Sequence, residues 1–129
     1  MIANLLGQLG YGHVNMAGNL SVNAEGTRST RETLGGAAAA HRASGRHIGI
    51  PQGQTNVQSK AGAGTEMALF EKAAQVTMLM ASGAAWFNAS GSRNGRGADT
   101  SAGLEARFVG ETARAVAPLG IDKANDLLN

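Results

Sequence analysis

Two stretches and one isolated carboxylate carry residue types suited to chemistry. Residues 51–58 read Pro-Gln-Gly-Gln-Thr-Asn-Val-Gln and are rich in carboxamides. An amide donates and accepts at once, so Gln54 and Asn56 suit a small polar ligand or the amide edge of a cofactor; the alternative is a solvated loop. Residues 88–97 combine glycines, hydroxyls and the guanidiniums of Arg93 and Arg96. Such a set can hold a phosphate or another anion. It fits neither the P-loop pattern nor a well-placed G-x-G-x-x-G, so its plain reading is a flexible crossover. Glu25 follows a predicted strand and is either a site carboxylate or a solvated loop tip. His13, His41 and His47 lack metal-ligand spacing, since no carboxylate lies between His41 and His47. They read as structural or surface histidines, and no metal site is expected.

These residues need elements to position them. Ile2, Leu5, Leu6 and Leu9 recur at helical spacing, and Gly10 and Gly12 close that helix. Residues 20–22 alternate as a short strand. Ser29 and Glu32 form an S-x-x-E capping box that starts a helix running towards Arg42, with Ser44 and Gly45 as its stop. Residues 47–50 read as a second strand ended by Pro51, and residues 52–64 as a polar, glycine-rich loop. Thr65 is the next N-cap, with Glu66 in the first turn. Met67, Phe70, Ala74, Met78 and Ala81 form the apolar stripe of that helix, and Gly83 stops it. Met67, Met78 and Met80 read as core filler. Residues 84–87 read as a third strand. Helices follow over 101–116 and 121–128, separated by Pro118 and Gly120. Alternation of strand and helix argues for a parallel sheet, with ligands at the C-terminal ends of its strands. A flavodoxin-like sheet fits this alternation too.

The chain has 129 residues, enough for one domain or part of one. Its hydrophobic fraction is 43% and its aromatic fraction only 4%, so Ala, Leu, Val and Met must fill the core. A net charge of +2 gives no reason to invoke nucleic acid. The absence of cysteine excludes disulfides and thiolate metal sites. No apolar run reaches the roughly 18 residues that span a bilayer, and the first residues lack signal-peptide character. The expectation is a cytoplasmic protein without a membrane partner.

Three runs are more specific. Residues 103–115 read Gly-Leu-Glu-Ala-Arg-Phe-Val-Gly-Glu-Thr-Ala-Arg-Ala, with Glu111 and Arg114 placed to pair on one face. Residues 29–34 read Ser-Thr-Arg-Glu-Thr-Leu, and residues 64–71 Gly-Thr-Glu-Met-Ala-Leu-Phe-Glu. In this order and spacing they resemble the C-terminal part of the monomethylamine:corrinoid methyltransferases, over residues 2–128. Glu32, Glu66, Glu105, Arg107, Glu111 and Arg114 carry the resemblance from helices, where capping, pairing and tying helices to loops are their expected roles.

The resemblance implies an α/β fold, the C-terminal portion of a (β/α)8 TIM barrel. Residues 1–129 would be a partial domain of about three β/α units plus terminal helices, lacking the upstream half. Unpaired sheet edges would then call for a complementing upstream polypeptide or a homo-oligomer. The implied reaction moves a methyl group from monomethylamine to the cobalt(I) of a corrinoid held on a carrier protein. The family activates the amine with pyrrolysine and nearby carboxylates, all upstream of the matched region. No catalytic residue is therefore expected in this span, no cofactor is bound directly, and no turnover is expected from this chain alone. A family glutamine lines the active site just before the Thr-Glu-Met helix; Gln54 matches it with one inserted residue, and Asn56 is the other possibility. Arg93 and Arg96 would meet the corrinoid tail or its carrier. The alternative is a small non-enzymatic α/β ligand-binding or assembly module derived from such an enzyme.

Overall fold

A computed structural model describes residues 15–16, 28–49, 51–89, 91–93, 100 and 102–128. The elements run β1 (Asn15–Met16), α1 (Arg31–Ile48), β2 (Gln52–Val57), α2 (Glu66–Ala81), β3 (Trp86–Ala89), α3 (Gly103–Val116) and α4 (Ile121–Leu128). The expected helix over 1–9, the strand over 20–22 and Glu25 lie outside the described residues.

The cap of α1 falls one residue later than the capping-box reading. Thr30, in extended conformation, accepts from the Thr33 amide at 3.3 Å. Ser29 is engaged elsewhere, accepting from Gln75 Nε2 at 3.0 Å. The helix also passes through Ser44 and Gly45, because Ser44 is buried within it. Its stop is Gly49, whose φ of +68° is the left-handed conformation of a C-terminal glycine. Residues 47–48 are therefore helical, not strand.

The strand reading moves to Gln52–Val57, which the sequence gives as loop. Glutamine, asparagine and glycine are poor strand formers, but this segment pairs on both sides, and pairing outweighs propensity. It runs parallel to β1 and to β3, in the order β1-β2-β3. Gly53 lies opposite Trp86 and Gln54 opposite Phe87; an irregularity then brings Val57 opposite Ala89. The extra residue reverses the alternation, so Val57 joins Phe87 on the face covered by helices. Trp86 faces the other way, and its indole lies so close to Gly53 that a β-carbon there would collide with the ring.

Thr65 caps α2 as expected, accepting from the Ala68 amide at 3.3 Å. At the other end, the Gly83 amide reaches Met80 O at 3.2 Å and the Ala84 amide reaches Leu79 O at 3.0 Å. This is a Schellman motif with Gly83 at φ +82°. It consumes Ala84, and β3 begins two residues later than expected. The buried stripe of α2 is not the one read from the sequence. Met67 and Phe70 are 59% and 62% exposed, whereas Ala68, Lys72, Gln75, Val76 and Leu79 face inward. Met78 is buried and Met80 partly so. Helix α3 starts at Gly103, and α4 has its expected bounds. The core joins Leu34, Val57, Val76, Met78, Leu79 and Val109, which ties α1, α2 and α3 to one face of the sheet.

Candidate functional site

The C-terminal end of β2 leads into a loop, residues 58–65, and that of β3 into a second, described at residues 91–93, 100 and 102. Both converge on one carboxylate. Glu105, in the first turn of α3, accepts from the Gly64 amide at 2.8 Å and from the Ser92 hydroxyl at 3.1 Å. Its other oxygen takes the Lys72 ammonium and a second contact from Ser92 at 3.1 Å. Lys72 and Glu105 are 1% and 2% exposed, and Ser92 is fully buried. The Arg93 amide donates to Ala61 O at 2.9 Å, which joins the two loops directly.

Burial pushes the Glu105 carboxyl upward, but the Lys72 hydrogen bond, the Gly64 amide, the Lys72 charge and the Ser92 hydroxyl outweigh it. The group is held below its ordinary value of 4.5. Three donors reach the ionised carboxylate: the Gly64 amide, the Lys72 ammonium and the Ser92 hydroxyl, whose one proton is shared between the two oxygens. Glu105 is thus a fixed anion that positions its neighbours.

Two further side chains staple the first loop. The Gln75 carboxamide accepts from the Gln58 amide at 3.2 Å and donates to Gln58 O and to Glu71 O. Glu71 accepts from the Lys60 amide at 2.7 Å and the Ala61 amide at 3.4 Å. In the second loop, a β-carbon on Gly91 would meet Thr100 at 2.5 Å, so only glycine allows that approach. Arg93 follows with φ +53°, an uncommon conformation for a side-chain-bearing residue, and its side chain is exposed.

The sequence candidates are distributed as follows. The backbones of Gln54 and Asn56 belong to β2, within the strand instead of the loop beyond it. Arg93 lies in the β3–α3 loop and reaches the β2–α2 loop through its amide. Glu25 and Arg96 lie outside the described residues. Glu105 does tie a helix to loops, as its position suggested. Glu111 pairs with Arg107 at 2.7 Å, one turn before it, instead of Arg114. That pair is exposed and contributes at most about 0.5 kcal/mol. Sequence reading missed Lys72, Gln75 and Ser92. The available signal was a lysine and a glutamine at spacing four and seven from Ala68, on the side of α2 that also carries Val76 and Leu79. Both His41 and His47 lie on α1, and among the described residues no group of three His, Asp or Glu side chains comes together to hold a metal. No described helix is long and apolar enough to cross a membrane.

Comparison with known proteins agrees with this architecture. The family described as Monomethylamine methyltransferase MtmB matches residues 8–129. Monomethylamine methyltransferase MtmB2 of Methanosarcina acetivorans is 42% identical over 69 residues, which is 54% of this chain and 15% of the relative. Monomethylamine methyltransferase MtmB of Methanosarcina mazei gives the same identity and coverage. The crystal structure of the Methanosarcina barkeri monomethylamine methyltransferase MtmB superposes with a TM-score of 0.69 at 35% identity, over 79% of this chain and 22% of that one. The match thus spans less than a quarter of each relative's length. With a family match over nearly its full length, the chain belongs to the monomethylamine methyltransferase MtmB family.

Proposed function

We propose that this chain forms the C-terminal wall of a (β/α)8 barrel that transfers a methyl group from monomethylamine to the cobalt of a corrinoid presented by a carrier protein. The observation that carries the reading is the family match joined to the winding of the sheet. Strands β1, β2 and β3 are parallel, pair in chain order, and carry their helices on one face. That order fits a barrel segment, and it also fits the strands on one side of a flavodoxin-like switch point; the family match is what favours the barrel. The loops at the C-terminal ends of β2 and β3 then belong to the end where barrel enzymes bind substrate.

A corrinoid presented by the carrier would supply the nucleophile that accepts the methyl group, and protonated monomethylamine, on losing that group, would release ammonia. The residues of this chain have supporting roles. Gln54 or Asn56 supplies a carboxamide to the amine, Arg93 and Arg96 face the corrinoid or its carrier, and Glu105 keeps the two loops in register. The group that activates the amine belongs to an upstream polypeptide, and the assembled enzyme is cytoplasmic. Exposed Met67, Phe70 and Leu104 offer apolar contacts to that polypeptide or to a second copy.

The test is reconstitution. The chain is co-expressed with the upstream part of a family member, and methylation of a cobalt(I) corrinoid carrier is followed by absorbance. Monomethylamine-dependent methylation by the pair, and by neither part alone, is the expected result. Turnover by the 129-residue chain alone would refute the reading, as would a stable complex of the two parts that is inactive.

A further inference from the structure

Away from the loops, a groove of about 310 Å³ runs between α1, the end of α2, and α4. This is within the size range of small-molecule sites, roughly 300–1,000 Å³. Its floor is apolar, from Leu34, Ala38, Met78 and Leu128. Arg31 and Arg42 line it from the same face of α1. They are eleven residues apart, three helical turns or about 16 Å, so one guanidinium stands towards each end of the floor. No aspartate or glutamate lines the groove, and neither arginine makes a salt-bridge contact among the described residues, though the neighbouring Glu32 feels the Arg31 charge. Arg31 is also poorly placed for the helix itself, because the dipole at the start of α1 disfavours a cation.

We propose that this groove binds an aliphatic chain bearing a carboxylate at each end. Two cations about three turns apart over an uncharged apolar floor are complementary to two anions joined by methylenes. A guanidinium receives a carboxylate through paired N–H donors, which fixes each end of the chain. The methylenes cover Ala38, Leu128 and Ile121, which are only partly buried or exposed. A ligand with a single carboxylate satisfies only one arginine, and an aliphatic diamine is repelled at both ends.

Calorimetric titration of the 129-residue chain with decanedioate, decanoate and 1,10-diaminodecane tests this. The expected result is saturable binding of decanedioate about tenfold tighter than decanoate, with no binding of the diamine. R31Q and R42Q, both at exposed positions, should each bring decanedioate down to the affinity of decanoate while leaving the helical circular dichroism unchanged. The proposal is overturned if decanedioate does not saturate, if decanoate or the diamine binds as well, or if either variant leaves decanedioate affinity unchanged.

Discussion

Lys72 on α2 and Glu105 on α3 form an ion pair shielded from solvent, and the same carboxylate holds the amide of Gly64 and the hydroxyl of Ser92. One side chain therefore links two helices to the two loops at the C-terminal edge of the sheet. Removing one partner leaves a buried charge unmatched, which costs about 3–5 kcal/mol. E105Q and K72M should each lower stability by that order in urea titrations. The double variant K72M/E105L removes both charges and should recover much of the loss. A single variant within about 0.5 kcal/mol of the parent, the range of ordinary surface substitutions, would show that the pair is not coupled to folding.

The low-lying Glu105 carboxyl gives a pH dependence of defined sign. In the unfolded chain the group titrates near its ordinary value of 4.5; in the folded chain it titrates lower. The stabilisation is complete above the unfolded value and is lost as pH falls through the folded value. The urea midpoint of the parent should fall below about pH 4.5. In E105Q this contribution is absent, and the fall should be shallower. Parallel acid profiles for the two proteins would contradict the assignment.

Two glycines of α1 should respond in opposite directions. Gly45 lies inside the helix with no neighbouring atom near its missing β-carbon, so G45A should raise stability by about 0.5–1 kcal/mol. Gly49 holds a left-handed φ at the C-terminus, so G49A should lower stability by about 1 kcal/mol or more. Thermal unfolding of both variants checks the helix boundary. A stabilising G49A would return the stop to Ser44 and Gly45.

At Gly53 the consequence is steric. A β-carbon there enters the Trp86 indole, so G53A should destabilise by about 1–3 kcal/mol. A double-mutant cycle with W86L should show most of that cost to be coupled to the indole. Additive effects would place the ring elsewhere.

Legibility from sequence followed how local each determinant was. Thr65 with Glu66, and Gly83 after an apolar run, mark the ends of α2 within a few residues, and α4 between Gly120 and its last leucine was equally clear. Strand β2 was hidden because its sequence, Gln-Gly-Gln-Thr-Asn-Val, is strand only by virtue of its two neighbours. The inward face of α2 was hidden for a related reason. Lys72 and Gln75 can be buried only because Glu105 lies 33 residues downstream and Ser29 lies 46 upstream. The resemblance to the methyltransferases was legible from the three helical runs, and Glu105 within one of them does hold loops. The irregularity after Gln54, which decides which face Val57 occupies, leaves no mark in the sequence.

The most direct test of the central claim is the monomethylamine dependence of the reconstituted enzyme carrying Q54A or N56A. If this chain supplies a wall of the substrate pocket, one of the two variants should reduce kcat/KM for monomethylamine at least tenfold while leaving assembly with the upstream part intact. If both variants assemble and keep the parent kcat/KM, these carboxamides do not contact substrate, and the claim that this chain lines the pocket through β2 is contradicted.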